Sequence, residues 1–269
     1  MIFADRVASA LAAGTHYDQL AGPYYLSPEK LEGDYAPVRF ERELRVFRQF
    51  CPGGRVLDVG CSTGAFLFQL QTRWPEAYTV LGTDVAQAAL DHAESRGVPV
   101  LRQPFLEHVF GEARFDAITF WAVLEHVVEP RRFLHKAGAL LKAGGTCFIL
   151  VPNLHSLAAR LLGARYRYFM PEHVNYYTPA LLEALVASEP TLQTVLMKST
   201  HFNPLVIGQD LWRGAEAVPE TERARLLRRT TAWKQSGRLK PLQAAYRVVE
   251  WLLGTLWLAD NLVAVLRKK

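Results

Sequence analysis

The hydrophobic positions change period in a regular way from residue 55 onward. Short runs of Val, Leu, Ile and Phe give way to stretches whose apolar residues recur three or four apart, and then the runs return. The pattern predicts strand 55–59, helix 64–73, strand 78–83, helix 86–95, strand 98–102, strand 115–121, helix 130–141 and strand 145–151. Strands alternating with helices of this length imply an α/β, doubly wound sheet, mostly parallel, with helices on both faces. Lys142-Ala143-Gly144-Gly145 separates the last helix of that series from its strand, as a C-terminal glycine should.

The flanks depart from this alternation. Residues 1–52 read as a helical cap in which the loop AGPYYLSPEK precedes an amphipathic helix, FERELRVFRQF. Residues 53–202 form the core. Within it, 152–180 is a Pro- and Tyr-bearing lid, followed by a helix that Thr178 and Pro179 begin as cap and first-turn proline. LQTVLMKSTHF, 192–202, predicts a further strand. Residues 203–260 form a helical insertion, first basic (ETERARLLRRTTAWKQSGRLK) and then very apolar (LQAAYRVVEWLLGTLWLAD), with Arg247, Glu250 and Gly254 as the weak face. A helix so nearly apolar all round is expected to bury Trp251 and Trp257 against its own domain or a second subunit. The competing expectation is membrane-surface contact through 219–258, with those aromatics exposed beside Arg223, Arg225, Arg228 and Arg229.

Composition narrows the class. A chain of 269 residues, half of them hydrophobic, can bury one substantial core. The net charge of +5 is a mild bias that a solvated, Arg-rich surface explains, and no aromatic-basic interleaving points to nucleic acid. Cys51, Cys61 and Cys147 are odd in number and far apart, so neither a disulfide framework nor a zinc site is expected, and a reducing, cytoplasmic compartment is. VASALAA near the start is too brief for a signal peptide, and Arg247, Glu250 and Asp260 interrupt the most apolar region before it could span a membrane.

The candidate chemistry lies in RVLDVGCSTGAFL, residues 55–67, where a strand enters a glycine turn and leaves as a helix. Twenty residues after Gly64, a second strand ends in Asp84. A strand, a tight turn, a helix and an acid closing the next strand suit a ribose-bearing cofactor. A dinucleotide fingerprint would need glycine where Ser62 and Ala65 stand. Gly60 to Gly64 also spells the G-x-S-x-G of a hydrolase nucleophile elbow with Ser62 as nucleophile, for which His173 or His201 would have to serve as base. That reading leaves Asp58 and Asp84 unexplained, and a turn that merely ends a strand leaves their spacing unexplained too.

DVGCSTGAFL, GTDV, RFDAITFWAVLEHVVEP and LLKAGGTCFILVPN, in this order and at these distances, resemble the successive motifs of class I S-adenosylmethionine-dependent methyltransferases. The likeness is closest to the branch containing the ubiquinone-biosynthesis O-methyltransferases, and EHVNYYTPALLEAL, 172–185, is similar to a later segment of that branch. The resemblance covers residues 40–190 and implies a seven-stranded Rossmann-like methyltransferase fold, with NLVAVLRKK (261–269) as the final, antiparallel strand. It implies S-adenosylmethionine as cofactor, held by Asp58, the turn Gly60, Cys61, Ser62 and Gly64, the ribose acceptor Asp84, and Val85, Phe105, Trp121 and Ala122. The acceptor would be a small molecule or a lipid- or glycan-linked intermediate, methylated at oxygen, with His126 and His173 as catalytic candidates. In the resembling quinone enzymes the acid and histidine of the Glu125-His126 segment have been linked to a metal, but two adjacent residues are not a ligand set, so no metal is assigned. A module that binds the cofactor without turnover, using the insertion as a partner surface, is the alternative from another class.

Overall fold

The computed structural model describes residues 24–112, 114–170, 172–212, 225, 228 and 240–269. Two helices, α1 (Pro28–Tyr35) and α2 (Glu41–Phe50), lead into the alternating block. That block runs β1 (Gly54–Val59), α3 (Ala65–Arg73), β2 (Tyr78–Thr83), α4 (Gln87–Ser95), β3 (Val100–Leu101), β4 (Phe115–Trp121), α5 (Pro130–Leu140) and β5 (Leu141–Pro152). There follow α6 (Leu157–Leu162), α7 (Pro179–Ala187), β6 (Leu192–Thr200), α8 (Pro204–Trp212), α9 (Lys240–Thr255) and β7 (Asn261–Lys268).

Seven strands make one sheet in the order β3-β2-β1-β4-β5-β7-β6. The first five are parallel, and β7 runs antiparallel between β5 and β6. Alternate residues serve opposite faces. Leu57, Ile118, Phe120, Ile149 and Leu266 join one core with Leu134 of α5 and Leu182 of α7. Val56, Ala117, Phe148 and Val265 join the other with Phe47 of α2 and Phe66 and Leu67 of α3. Both faces are therefore dry, which is why the strands read as continuous apolar runs. Strand order reverses between β1 and β4, so their carboxyl ends diverge and leave a crevice, the place where open α/β sheets bind ligands.

Four local expectations are corrected. The strand expected at 98–102 is only Val100–Leu101, because Pro99 has no N–H to give a ladder and Pro104 soon follows. The loop AGPYYLSPEK ends early, since Pro28 is already a helix residue, a position where its missing N–H costs nothing. Lys142-Ala143-Gly144-Gly145 falls inside β5 rather than before it. The pairing jumps from Phe115↔Leu141 to Ala117↔Thr146, so these residues bulge out of the ladder, with Gly144 at φ +75°.

The fourth correction concerns α9, which docks with its polar side inward. Glu250 forms a bidentate ion pair with Arg42 of α2, and Ser199 Oγ of β6 donates to the Gly254 carbonyl at 3.1 Å. A Cβ at Gly254 would come within 3.1 Å of the Ser199 carbonyl oxygen, so the weak face is the one that lets the helix approach. Val248, Trp251, Leu252 and Leu256 consequently form an outward stripe, with Trp251 66% exposed; Trp257, past the helix end, packs against the core. Arg223 and Arg229, named with Arg225 and Arg228 for the lipid expectation, lie outside the described residues. Among the described residues no helix is long and apolar enough to cross a membrane.

The two kinds of apolar residue differ sharply in what they hold up. Leu266→Ala, at a fully buried site in β7, is expected to cost about 3 kcal/mol. Leu256→Ala, on the outward stripe, is expected to stay within about 0.5 kcal/mol of the parent. Urea unfolding of both variants measures the difference.

Candidate active site

The crevice is built around the turn after β1. Gly60 (φ +74°) cannot carry a side chain, because a Cβ would lie 2.5 Å from Val123 Cγ2. The Gly60 and Cys61 N–H groups both donate to the Thr83 carbonyl, at 2.7 and 3.1 Å, which ties the turn to the end of β2. Asp84 completes the tie: its Oδ2 accepts from Ser62 N–H at 2.7 Å and its Oδ1 from Ala86 N–H at 2.9 Å. Helix α3 starts at this turn with no side-chain cap, so its first N–H groups and the positive end of its dipole face the crevice.

A cavity of about 680 Å³ occupies the crevice. Asp58, Gly60, Cys61, Ser62, Asp84, Val85, Phe105, Trp121, Ala122 and His126 all line it; Gly64 and His173 do not. Gly64 packs against α4 instead, with Ala93 Cβ 2.9 Å from where its own Cβ would be. Tyr24, Tyr25 and Phe40, next to α1 and α2, close one side of the cavity. Phe105 is buried between Phe110, Phe120 and Phe133 and offers the cavity an aromatic wall.

Two carboxyl groups stand on the cavity floor. Asp58 is 2% exposed and accepts from the Thr119 hydroxyl at 2.6 Å. Burial pushes its carboxyl up to about 7, and the Asp84 charge adds to that against the Thr119 hydrogen bond. Trp121 Nε1 is buried and has no hydrogen-bond partner among the described residues. Ser62 Oγ is likewise buried without a partner, so no histidine activates it, and His201 is paired with Glu43 at 3.1 Å instead. The hydrolase constellation is not assembled.

The lid reaches the site through a set of hydrogen bonds that the sequence reading missed. Val174 and Asn175 N–H both donate to the Glu125 carbonyl, at 2.8 and 3.0 Å. Asn175 Nδ2 donates to the Leu124 and Val127 carbonyls, and Tyr177 Oη to that of Leu124. His126 Nδ1 stands 3.0 Å from the Glu172 carbonyl. A carbonyl can only accept, so Nδ1 carries the proton in this contact. His173 is buried behind His126, ring centroids 4.5 Å apart, and Tyr168 stacks on its other side. The signal in the sequence was the placement of Asn175 and Tyr177 two and four residues after His173.

His173 also supplies the third member that the metal reading lacked. Glu125, His126 and His173 each offer a ligand atom, all within 4.8 Å of one another. Burial pushes the Glu125 carboxyl up to about 8, and its Oε2 has no partner among the described residues. Two histidines and a carboxylate fit a divalent transition-metal ion, which would supply Lewis-acid activation of an acceptor oxygen in place of a His126 base, because a ligating His126 has no second lone pair to take a proton.

A family model for a methyltransferase domain matches residues 35–188. The chain belongs to the class I S-adenosylmethionine-dependent methyltransferases. It is 31% identical over 194 residues to a ubiquinone biosynthesis O-methyltransferase of Salmonella enteritidis, covering 65% of this chain and 78% of that protein. In fold it is similar to a possible histamine N-methyltransferase of Thermotoga maritima, at a TM-score of 0.56 and 16% identity over 97% of this chain and 98% of that one. It also resembles the N-methyltransferase NodS of Bradyrhizobium japonicum in complex with S-adenosylhomocysteine, at a TM-score of 0.54 and 16% identity over 94% and 98% of the two chains.

The cofactor of this methyltransferase is S-adenosylmethionine, and the cavity's chemistry fits it. The molecule carries an ammonium, which suits the Asp58 carboxyl, ribose hydroxyls, which suit the acceptor oxygens of Asp84, and one carboxylate, which suits the uncapped start of α3. A cavity of about 680 Å³ with aromatic and aliphatic walls is of the size that encloses such a ligand.

Asp84 is expected to matter twice. Asp84→Ala removes the proposed ribose acceptor and should weaken cofactor binding by about 1.5–3 kcal/mol in calorimetry. It also strips two backbone N–H groups of their acceptor, so melting should report a stability loss of about 1–3 kcal/mol without cofactor present. Unchanged affinity would assign the ribose to another residue.

Proposed function

We propose that this methyltransferase acts on a hydroxyl oxygen of a small-molecule or lipid- or glycan-linked acceptor, with His126 as the base. The observation that carries the reading is the place of His126: it lines the cofactor cavity while the Glu172 carbonyl anchors its ring through Nδ1, as a positioned general base requires. The O-methyltransferase naming of the Salmonella relative supports the same choice of atom.

S-adenosylmethionine supplies a methyl group on a sulfonium, open to in-line displacement. In this reading Asp84 takes the ribose hydroxyls, Val85 and Phe105 enclose the adenine, and Asp58 faces the ammonium. Trp121 and Ala122, at the end of β4, flank the transferable methyl and keep water away from it. His126 removes the acceptor's hydroxyl proton as the oxygen bonds to carbon, and His173 with Tyr168 holds the His126 ring in place from behind. His173 is thus a positioning residue.

Turnover of methyl-labelled cofactor against pools of phenols, alcohols and amines tests the reading, and label recovered only on amine nitrogen would overturn it. His126→Ala is expected to lower kcat by about 10²–10⁴ with cofactor affinity unchanged. A second outcome follows from Asp58. In the empty cavity its carboxyl holds a proton below about pH 7, and pairing with the cofactor ammonium requires that proton to leave. Cofactor affinity should therefore rise from about pH 5.5 to about pH 7, by at most about tenfold per pH unit. Calorimetry across that range checks it, and Asp58→Asn should flatten the profile.

A further inference from the structure

A second cavity, of about 700 Å³, lies between α2, the strands β6 and β7, and the inverted helix α9. Arg39, Glu43 and Trp121 line both cavities and form the partition between them. The second cavity thus opens beside the residue proposed to flank the transferable methyl.

Its charges do not cancel. On α2, Arg42 is engaged by Glu250 of α9, and Glu43 is engaged by His201, which follows β6. Arg39 pairs with Asp34 of α1. That leaves Arg45 on α2, Lys198 on β6 and Arg247 on α9, none with a hydrogen bond or ion pair among the described residues, against the single carboxylate of Glu41. Lys198 is the most telling of the three, since it is half-buried and the charged groups that act on it are the guanidiniums of Arg45 and Arg42. Burial, then Arg45, then Arg42 draw its pKa below the ordinary lysine value. Such an arrangement opposes folding unless an anion completes it.

The apolar half of the same cavity points to what carries the anion. Met197, Trp251 and Trp257 line it, and Trp251 begins the outward stripe that continues through Val248, Leu252 and Leu256. Three unpaired cations from three elements suit a polyanion better than a lone carboxylate. An inorganic polyanion, however, would leave the apolar stripe without a role.

We propose that this cavity is the acceptor's anion subsite: it takes the phosphate or diphosphate of an amphiphilic acceptor, with Lys198 and Arg45 as phosphate ligands and the apolar face of α9 against its hydrocarbon chain. The inference rests on the methyl-transfer reading only in naming the bound molecule as acceptor.

The test uses the full chain with three probes, geranyl diphosphate, geraniol and inorganic diphosphate, each titrated calorimetrically, and S-adenosylmethionine titrated separately. Geranyl diphosphate should bind at least tenfold more tightly than either of the others, and its affinity should fall as salt is raised. Lys198→Met and Arg45→Gln should each weaken it at least tenfold and leave cofactor affinity unchanged, whereas Lys198→Arg should retain it. Lys198→Met should also melt higher than the parent when no ligand is present, since it removes a half-buried repulsion. Geranyl diphosphate binding that survives Lys198→Met, or is no tighter than that of geraniol, overturns the subsite. Inorganic diphosphate binding as tightly as geranyl diphosphate overturns the amphiphile. A parent chain that binds geranyl diphosphate but not S-adenosylmethionine would overturn the cofactor site while leaving the subsite standing, so the two failures are distinct.

Discussion

The carboxylate of Asp84 is the joint on which the cofactor crevice hangs. Two parallel strands that end side by side would splay their outgoing loops, because the last N–H and C=O groups of each have no ladder partner beyond them. Asp84 takes the Ser62 N–H with one oxygen and the Ala86 N–H with the other, while the Thr83 carbonyl takes those of Gly60 and Cys61. The starts of α3 and α4 are thereby set next to each other at the end of the sheet. The same residue lines the cavity, so in the proposed reading recognition and architecture draw on one side chain.

Strain follows the cavities. Among the described residues four non-glycine positions have positive φ: Ser62 at +50°, Ala122 at +56°, His201 at +62° and Trp257 at +62°. Ser62 and Ala122 line the cofactor cavity, and His201 and Trp257 line the second one. Left-handed backbone at a residue with a Cβ costs free energy, and it persists where the surroundings hold it for a purpose. That both cavities carry it sets the second beside the first as a shaped site.

Much of the fold was legible because burial on both faces leaves a strong imprint. Runs such as RVLDV and FDAITFW are apolar on both sides of the pleat, and the turn residues Gly60 and Gly64 mark where the chain must bend sharply. The acid at 84 was legible from spacing alone, although its two backbone hydrogen bonds were not. The lid was half legible. Its helix start at Thr178 and Pro179 could be read, and the Thr178 cap is present, but nothing local shows that Asn175 reaches back to the carbonyls of Leu124 and Val127. Such contacts join residues some fifty positions apart and depend on a fold already formed. Helix α9 misled for a clear reason: periodicity reveals which face is apolar, and the rule that this face turns inward fails where an ion pair and a close glycine contact dock the other one.

The placement of β7 has a consequence for how the chain comes together. Within the sheet, β6 pairs with β7 alone, and β7 is synthesised after both of the strands it joins. Until residues 261–268 arrive, β5 presents an unpaired apolar edge and β6 has nothing to join. The parallel half, with the whole cofactor crevice, is complete in sequence by residue 152. Synthesis therefore passes through an interval in which the cofactor half can form while the strand that seals it is still missing. During that interval the open edge of β5 is the surface most exposed to pairing with another nascent chain.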